Sequence, residues 1–150
     1  MNTKDALYAH CQQIIESKIT DLRVVLTQLA EAKATETKSS AGDKFETGRS
    51  MLQSQEEQNG RQLVNALAQQ AELLAIGRNM ATDQVGPGSL VTTDKGNVYY
   101  VSIGLGRVKF EGKDYFCVSE AAPVAEAILG KKEGDTISFN GKKQTIIKVE

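Results

Sequence analysis

The chain of 150 residues contains no tryptophan, one histidine, two prolines and two cysteines. The single histidine, His10, has no nucleophile motif beside it, which argues against triad hydrolases and condensing enzymes. Cysteine and histidine do not recur at metal-ligand spacing, so a zinc site is not expected. No apolar run approaches the roughly 18 residues of a membrane span, and the polar start Met1–Asp5 predicts no signal core.

An excess of charge of one sign is also missing. The chain has 18 Lys and Arg against 19 Asp and Glu, a net charge of −1, so no global field points to nucleic acid or acidic lipid. Cys11 and Cys117 lie far apart in the sequence, and we interpret both as structural or incidental. A reducing cytoplasm is therefore the expected location.

Proline and glycine are unevenly distributed along the chain. Residues 1–86 lack proline, whereas both prolines and nine of the 13 glycines lie at or after Gly86. The apolar residues of the two parts also recur with different periods. Such a shift marks a domain boundary, and we predict one domain at 1–82 and another at 83–150.

The first part has apolar residues at helical spacing. One stripe steps by three or four residues through Leu7, Cys11, Ile15, Ile19, Leu22, Leu26 and Leu29, and a second runs through Leu63, Leu67 and Leu74. The pattern predicts two long antiparallel helices, about 4–37 and 44–79, that form a coiled coil with a narrow seam. Because 53–62 is nearly free of apolar residues, we expect the seam to be weakest near the joint between the helices.

After residue 83 the apolar period changes to two. Six segments rich in Val, Ile, Tyr and Phe are predicted to be strands: 89–93, 97–103, 107–110, 115–119, 136–139 and 144–149. Asn140-Gly141 lies between the last two and predicts a hairpin turn, because both positions tolerate positive φ. The predicted fold class is α+β, with an N-terminal antiparallel helical hairpin followed by a small antiparallel sheet of five or six strands and one short helix.

The segment 120–135, EAAPVAEAILGKKEGD, contains that short helix. Pro123 stands just inside its start and Gly130 just past its end, an asymmetry that helix termini favour. The segment resembles the C-terminal signature of the bacterial Gre transcript-cleavage factors, at positions Pro123, Ala127, Leu129, Gly130, Lys131, Gly134 and Asp135. The resemblance implies an FKBP-like C-terminal domain and bacterial RNA polymerase as the partner.

The joint between the helices, an acidic tip near 39–46, carries two acids three residues apart, Asp43 and Glu46. Asp at the N-cap and Glu at the third helical position suit a capping box, which stabilises a helix by about 1 kcal/mol. The stretch 42–47 also resembles the catalytic tip of Gre factors. The resemblance implies that both acids are catalytic and hold Mg²⁺ only jointly with RNA polymerase, and that the isolated chain binds no cofactor.

The resemblance further implies contacts with the polymerase and with the 3′ end of nascent RNA. The expected contact residues are Lys44, Phe45 and Arg49 at the tip and Glu120, Pro123 and Val124 in a docking loop. For the tip residues two alternatives stay open. The cations can be solvated rather than bound to RNA phosphates, and the aromatic ring can pack back on the hairpin.

The favoured interpretation is a Gre-like elongation factor that enters the polymerase secondary channel and stimulates cleavage of backtracked transcripts. The polymerase supplies the nuclease, so the chain itself is not expected to be an enzyme. The alternatives are a Gre-fold channel occupant that does not promote cleavage, an FKBP-like prolyl isomerase and a coiled-coil adaptor. Few aromatic residues are available for an isomerase pocket, and neither a membrane nor a small-molecule substrate is expected.

Overall fold

The computed structural model describes residues 2–38, 43–77 and 83–150, except for the side chains of 36–38 and 43–46. Packing divides the chain into two compact units, one formed by 1–12 with 71–150 and the other by 13–70. Both long helices therefore contribute residues to both units. The sequence-based boundary between 82 and 83 stays a prediction.

Two long helices form the N-terminal part: α1 spans Thr3–Lys38 and α2 spans Asp43–Ile76. α1 begins where the side-chain oxygen of Asn2 accepts a hydrogen bond from the Asp5 amide at 2.8 Å, as an N-cap residue does. α2 ends earlier than predicted. Gly77 adopts a left-handed conformation with φ of 70°, and its amide donates to the Leu73 carbonyl at 3.2 Å, which terminates the helix.

In the unit formed by 13–70, polar contacts show that the two helices run antiparallel. The ammonium group of Lys33, near the end of α1, donates to Gln53 at 2.7 Å and to Glu56 at 3.2 Å, both near the start of α2. None of the helices in the described ranges is both long and apolar enough to cross a lipid bilayer.

Burial in this unit is concentrated far from the joint between the helices. The buried side chains are Ile15, Ile19 and Leu22 of α1 and Ala66 of α2. Among the described side chains of 23–35 and 47–65, none is buried. The seam therefore loses buried apolar contacts toward the joint. Leu67 and Leu74 of the stripe predicted for α2 are exposed.

The other unit is built on a six-stranded sheet with the order β3-β4-β2-β1-β6-β5. The strands are β1 Leu90–Thr93, β2 Val98–Val101, β3 Gly106–Phe110, β4 Lys113–Val118, β5 Thr136–Phe139 and β6 Lys142–Val149. This arrangement after two long helices confirms the predicted α+β class.

The sheet is mixed rather than wholly antiparallel, because β2 pairs with β4 in parallel. After β2 the chain moves to the sheet edge, where β3 forms, and the β3–β4 hairpin then returns β4 to the position beside β2. Two reversals of direction bring β4 back parallel to β2. The period-two sequence pattern predicts the faces of a strand but not its neighbours, so it did not distinguish this order from a simple meander.

One face of the sheet packs against the short helix α3, Pro123–Ile128. Its core comprises Val91, Tyr99, Val101, Ile137 and Ile146 from the strands with Val124 and Ile128 from α3. The helix begins with proline in its first turn, as predicted. Beyond its end, Gly130 has a φ of 78° and its amide donates to the Val85 carbonyl at 2.8 Å, which joins α3 to the segment before β1.

The first turns of α1 cover the opposite face of the sheet. The ring of His10 lies 4.9 Å from that of Phe110, and the sulfur of Cys11 lies 3.8 Å from that of Cys117. Both faces of the sheet are thus buried, one by α3 and one by a helix from the N-terminal part of the chain. The predicted turn between β5 and β6 is also present, with φ of 52° at Asn140 and 74° at Gly141.

Candidate functional site

The predicted catalytic acids lie at the start of α2. Asp43 is the first residue of that helix and Glu46 lies three residues later, one helical turn along. The side chains of both acids, and those of Lys44 and Phe45, lie outside the described part of the chain, as do residues 39–42. The backbone of this first turn is helical, and it places both acids on one side of α2, since residues three apart are neighbours on a helix surface. Arg49, one turn further along, is exposed.

The predicted docking residues surround the start of α3. Glu120 and Pro123 are exposed, whereas Val124 is buried in the core beneath α3. Ala122 precedes the helix in an extended conformation and makes no side-chain cap. The predicted loop is therefore exposed at Glu120, Ala121 and Pro123, whereas Val124 packs into the core.

A cleft of about 570 Å³ adjoins this loop. It is lined by the last turns of α2, the segment before β1, the end of β2 and the loop after β4, through Glu72, Ala75, Ile76, Pro87, Ser102, Ser119, Glu120 and Ala121. The buried hydroxyl of Ser102 has no hydrogen-bond partner among the described residues. The cleft combines an apolar wall with two carboxylates and two hydroxyl groups.

A second cavity, of about 310 Å³, has an aromatic lining. Tyr99, Phe116 and Phe139 contribute their rings, and the first two have ring centroids 5.7 Å apart. Sequence reasoning assigned the few aromatic residues to the core and left little for a pocket. The structure instead places these three rings where they border both the core beneath α3 and the cavity.

Polar side chains form one wall of this aromatic cavity. The side-chain oxygen of Gln144, a residue only 5% exposed, accepts hydrogen bonds from Thr93 at 2.7 Å and from Asn97 at 3.0 Å. The amide nitrogen of Gln144 donates to the Tyr99 hydroxyl at 3.5 Å. These bonds orient the Gln144 amide across β1 and β6 at the cavity edge. A cavity with rings on one side and amides on another suits an apolar group attached to a peptide backbone.

Sequence reasoning missed a buried thiol pair on the opposite face of the sheet. Cys11 is fully buried and Cys117 is 1% exposed, and both are free thiols. The contact with Cys117 holds the pKa of Cys11 below its usual value, while the same contact and burial raise the pKa of Cys117. Nothing in the sequence signals this pair, because 106 positions separate its members.

The buried hydroxyl of Tyr100 belongs to the same region. Tyr100 is paired with Cys117 in the register of β2 and β4. Burial raises the pKa of Tyr100 strongly, and the neighbouring Cys11 and Cys117 add to this effect. Its hydroxyl has no hydrogen-bond partner among the described residues.

Across the described ranges, no group of three or more His, Cys, Asp or Glu residues is placed to hold a metal ion. The carboxylates of Asp43 and Glu46 lie outside that description. Their number and type fit Mg²⁺, which prefers oxygen ligands and often takes only one or two protein carboxylates beside substrate phosphates.

Part of the chain is similar in sequence to known transcription elongation factors. The chain is 31% identical over 93 residues to transcription elongation factor GreA of Streptococcus pyogenes, in serotypes M5 (strain Manfredo), M3 (strain MGAS315) and M18 (strain MGAS8232). The match covers 59% of this chain and 52% of each relative, so the chain spans about half the length of the curated relatives it matches. No protein-family model and no solved structure matches the chain. At the level of the family, this chain is therefore similar to the Gre transcription elongation factors.

Proposed function

We propose that this chain is a Gre-like elongation factor that binds bacterial RNA polymerase and stimulates cleavage of backtracked transcripts. The observation that carries the proposal is the helical hairpin, whose second helix begins with Asp43 and has Glu46 one turn later. The family-level similarity to GreA supports the same conclusion. A cytoplasmic location follows from it.

The length of the helices suits delivery of the acids to a distant site. α1 has 36 residues and α2 has 34 residues. At a rise of about 1.5 Å per residue, each helix is roughly 50 Å long. Helices of that length suit a hairpin that reaches through a narrow channel, as the secondary-channel hypothesis requires.

The chemistry assigned to the tip is the presentation of two carboxylates. A Mg²⁺ ion bound jointly with the polymerase would stabilise the charge on the attacking and leaving oxygens of phosphodiester hydrolysis. In our proposal Asp43 and Glu46 hold that ion together with the polymerase, and one of them orients or deprotonates the attacking water. The polymerase contributes the nuclease centre, so this chain acts as its activator. Lys44, Phe45 and Arg49 would contact the nascent RNA 3′ end or the channel wall.

Docking on the polymerase is assigned to the loop before α3. Glu120 and Pro123 are exposed there, and Glu120 also lines the 570 Å³ cleft. An apolar wall with carboxylates at its edge favours a partner segment that carries apolar and basic side chains. Val124 would act indirectly, since its side chain is buried beneath the loop.

A transcript-cleavage assay on stalled elongation complexes tests the proposal. The wild-type chain is expected to accelerate cleavage of backtracked RNA, and Asp43→Ala with Glu46→Ala is expected to abolish the acceleration while binding is retained. The matched control is Glu16→Ala with Asp21→Ala, which removes two exposed acids from α1 away from the tip. Unchanged cleavage with the tip variant would refute the catalytic assignment.

The cleavage assay and a pull-down with polymerase together separate the alternatives. Binding to polymerase without cleavage by the wild-type chain would indicate a channel occupant that regulates by obstruction. Failure to bind polymerase in a pull-down would favour a coiled-coil adaptor.

The aromatic cavity favours one function of another class, prolyl isomerisation. Its three rings and the amide of Gln144 are suited to a proline ring and the adjacent peptide carbonyl. The full chain would be assayed for cis–trans isomerisation of a proline-containing peptide, with Tyr99→Ala as the variant. Catalysis by the wild-type chain that the variant lacks would support this second function, and no acceleration over the uncatalysed rate would remove it.

A further inference from the structure

We propose that Cys11 and Cys117 form a reversible disulfide that covalently links the first turns of α1 to strand β4. The two sulfur atoms already lie 3.8 Å apart within one compact unit. This inference is independent of the proposed role in transcription. It concerns a modification site in the fold rather than the tip or the docking loop.

The two sulfur atoms must move closer together to form the bond. A disulfide requires a separation of about 2.05 Å, so the sulfurs must close by roughly 1.8 Å. Gly106 faces Cys117 in the register of β3 and β4, and a side-chain carbon at Gly106 would meet nothing within 4 Å. Gly106 therefore places no side chain beside Cys117 that a rotation of the Cys117 side chain would have to displace.

The pKa of Cys11 is lowered and the pKa of Cys117 is raised, so the two thiols are suited to different roles. The contact with Cys117 lowers the pKa of Cys11, which favours the thiolate form of Cys11. Thiolates rather than thiols are the nucleophiles in oxidation. In the proposed reaction Cys11 is the attacking residue and Cys117 the resolving one.

The oxidant is a hydroperoxide, for which hydrogen peroxide serves as the probe. The Cys11 thiolate attacks one peroxide oxygen and the O–O bond breaks, which gives a sulfenic acid at Cys11 and, after protonation, water. The Cys117 sulfur then attacks the Cys11 sulfur, the S–O bond breaks, and the hydroxyl leaves as a second water with the Cys117 proton. Two thiols are oxidised by two electrons and one peroxide is reduced to two waters.

Access to the buried sulfurs requires local opening of α1 from the sheet. The interface between them contains polar atoms without hydrogen-bond partners among the described residues, namely one carboxylate oxygen of Asp5 and the hydroxyl of Tyr100. Lys4, close to Asp5 and Glu150, is also buried, and burial lowers its pKa. Buried polar atoms without partners reduce the stability of a contact, so this interface is expected to open more readily than the core beneath α3.

The test is oxidation of the reduced full-length chain by hydrogen peroxide. We expect both thiols to disappear together, a mass loss of about 2 Da, a monomeric band on a non-reducing gel, and full reversal by a dithiol reductant. Urea below the unfolding transition should accelerate the reaction, because it favours the opened state. Retention of both thiols, oxygen addition without thiol pairing, or dimers linked between chains would each overturn the proposal.

A thermal unfolding experiment tests whether the disulfide stabilises the folded chain. The closed loop is long, so oxidation of the wild-type chain is expected to raise Tm by about 10 °C. Cys11→Ser is the matched control, because it leaves one thiol and should show no rise. An equal rise in this control, or no rise in an oxidised wild-type chain that has lost both thiols, would contradict the role of the bond. The mass measurement requires only the wild-type chain, so it holds even if the variant does not fold.

Discussion

At the scale of single residues, two buried tyrosine hydroxyls on the α1 side of the sheet have opposite environments. The Tyr8 hydroxyl donates to the Leu73 carbonyl at 3.0 Å, whereas the Tyr100 hydroxyl has no partner among the described residues. A buried hydrogen bond contributes about 1 kcal/mol, and a buried polar group without a partner costs a similar amount or more.

These environments predict opposite effects of one chemical change. Tyr8→Phe should lower the free energy of unfolding by about 1 kcal/mol, and Tyr100→Phe should raise it by about 1 kcal/mol. Each variant is the control for the other, because both remove a single hydroxyl. Urea unfolding followed by circular dichroism measures the change, since the chain has no tryptophan for fluorescence. Losses of equal size in both variants would show that Tyr100 has a partner in solution.

Tyr100 also predicts a dependence of stability on alkaline pH. Burial raises its pKa in the folded chain, so above pH of about 10 the unfolded state releases this proton while the folded state retains it. The contribution of Tyr100 to the free energy of unfolding is fully present below the pKa of this group in the unfolded chain. It is lost as pH rises above that pKa, with a slope of up to about 1.4 kcal/mol per pH unit. The free energy of unfolding should fall less steeply above pH of about 10 in Tyr100→Phe. Identical slopes would contradict this assignment.

At the scale of elements, two glycines predict effects of opposite sign. Gly141 lies in the β5–β6 turn with φ of 74°, where a side chain is strained. Gly60 lies inside α2, and an added side-chain carbon would meet nothing within 4 Å. Gly141→Ala should therefore destabilise the chain by about 1–2 kcal/mol, and Gly60→Ala should stabilise it by about 1 kcal/mol. Denaturant unfolding of the pair checks this, and a stabilising Gly141→Ala would show that the turn differs in solution.

The elements themselves were largely predictable from local sequence. The two apolar stripes predict α1 and α2, and Asn140-Gly141 predicts the last hairpin, because these signals arise from neighbours in the chain. The end of α2 was misplaced since the helical pattern continues beyond Gly77, where one left-handed glycine stops the helix. The position of β4 beside β2 could not be predicted, because strand alternation carries no information on strand order.

At the scale of the whole molecule, stability should vary along the hairpin. The buried side chains of the helices lie before residue 23 and after residue 65 in the described ranges. Hydrogen exchange is therefore expected to be at least about tenfold faster for the amides of 23–35 and 47–62 than for those of β1, β2 and β4. Mass spectrometry of exchanged peptides measures this difference. Equal protection in all of these segments would mean that the hairpin is stabilised by contacts other than those between its helices.

The candidate site was predictable only in part. The acids Asp43 and Glu46 were predicted from sequence as site residues, and they lie one turn apart at the start of α2. Their catalytic role stays a proposal, as does the docking role of Glu120 and Pro123. The aromatic cavity was not expected, because composition counts the aromatic residues but does not say which of their faces remain exposed.

The sequence by itself determined the helices, most strands and turns, and the α+β class, because these depend on propensity and periodicity over a few residues. Only the tertiary structure decided the parallel β2–β4 pair and the meeting of Cys11 with Cys117. Those features join segments that lie far apart in the chain. Their energy comes from packing between surfaces that no local pattern specifies.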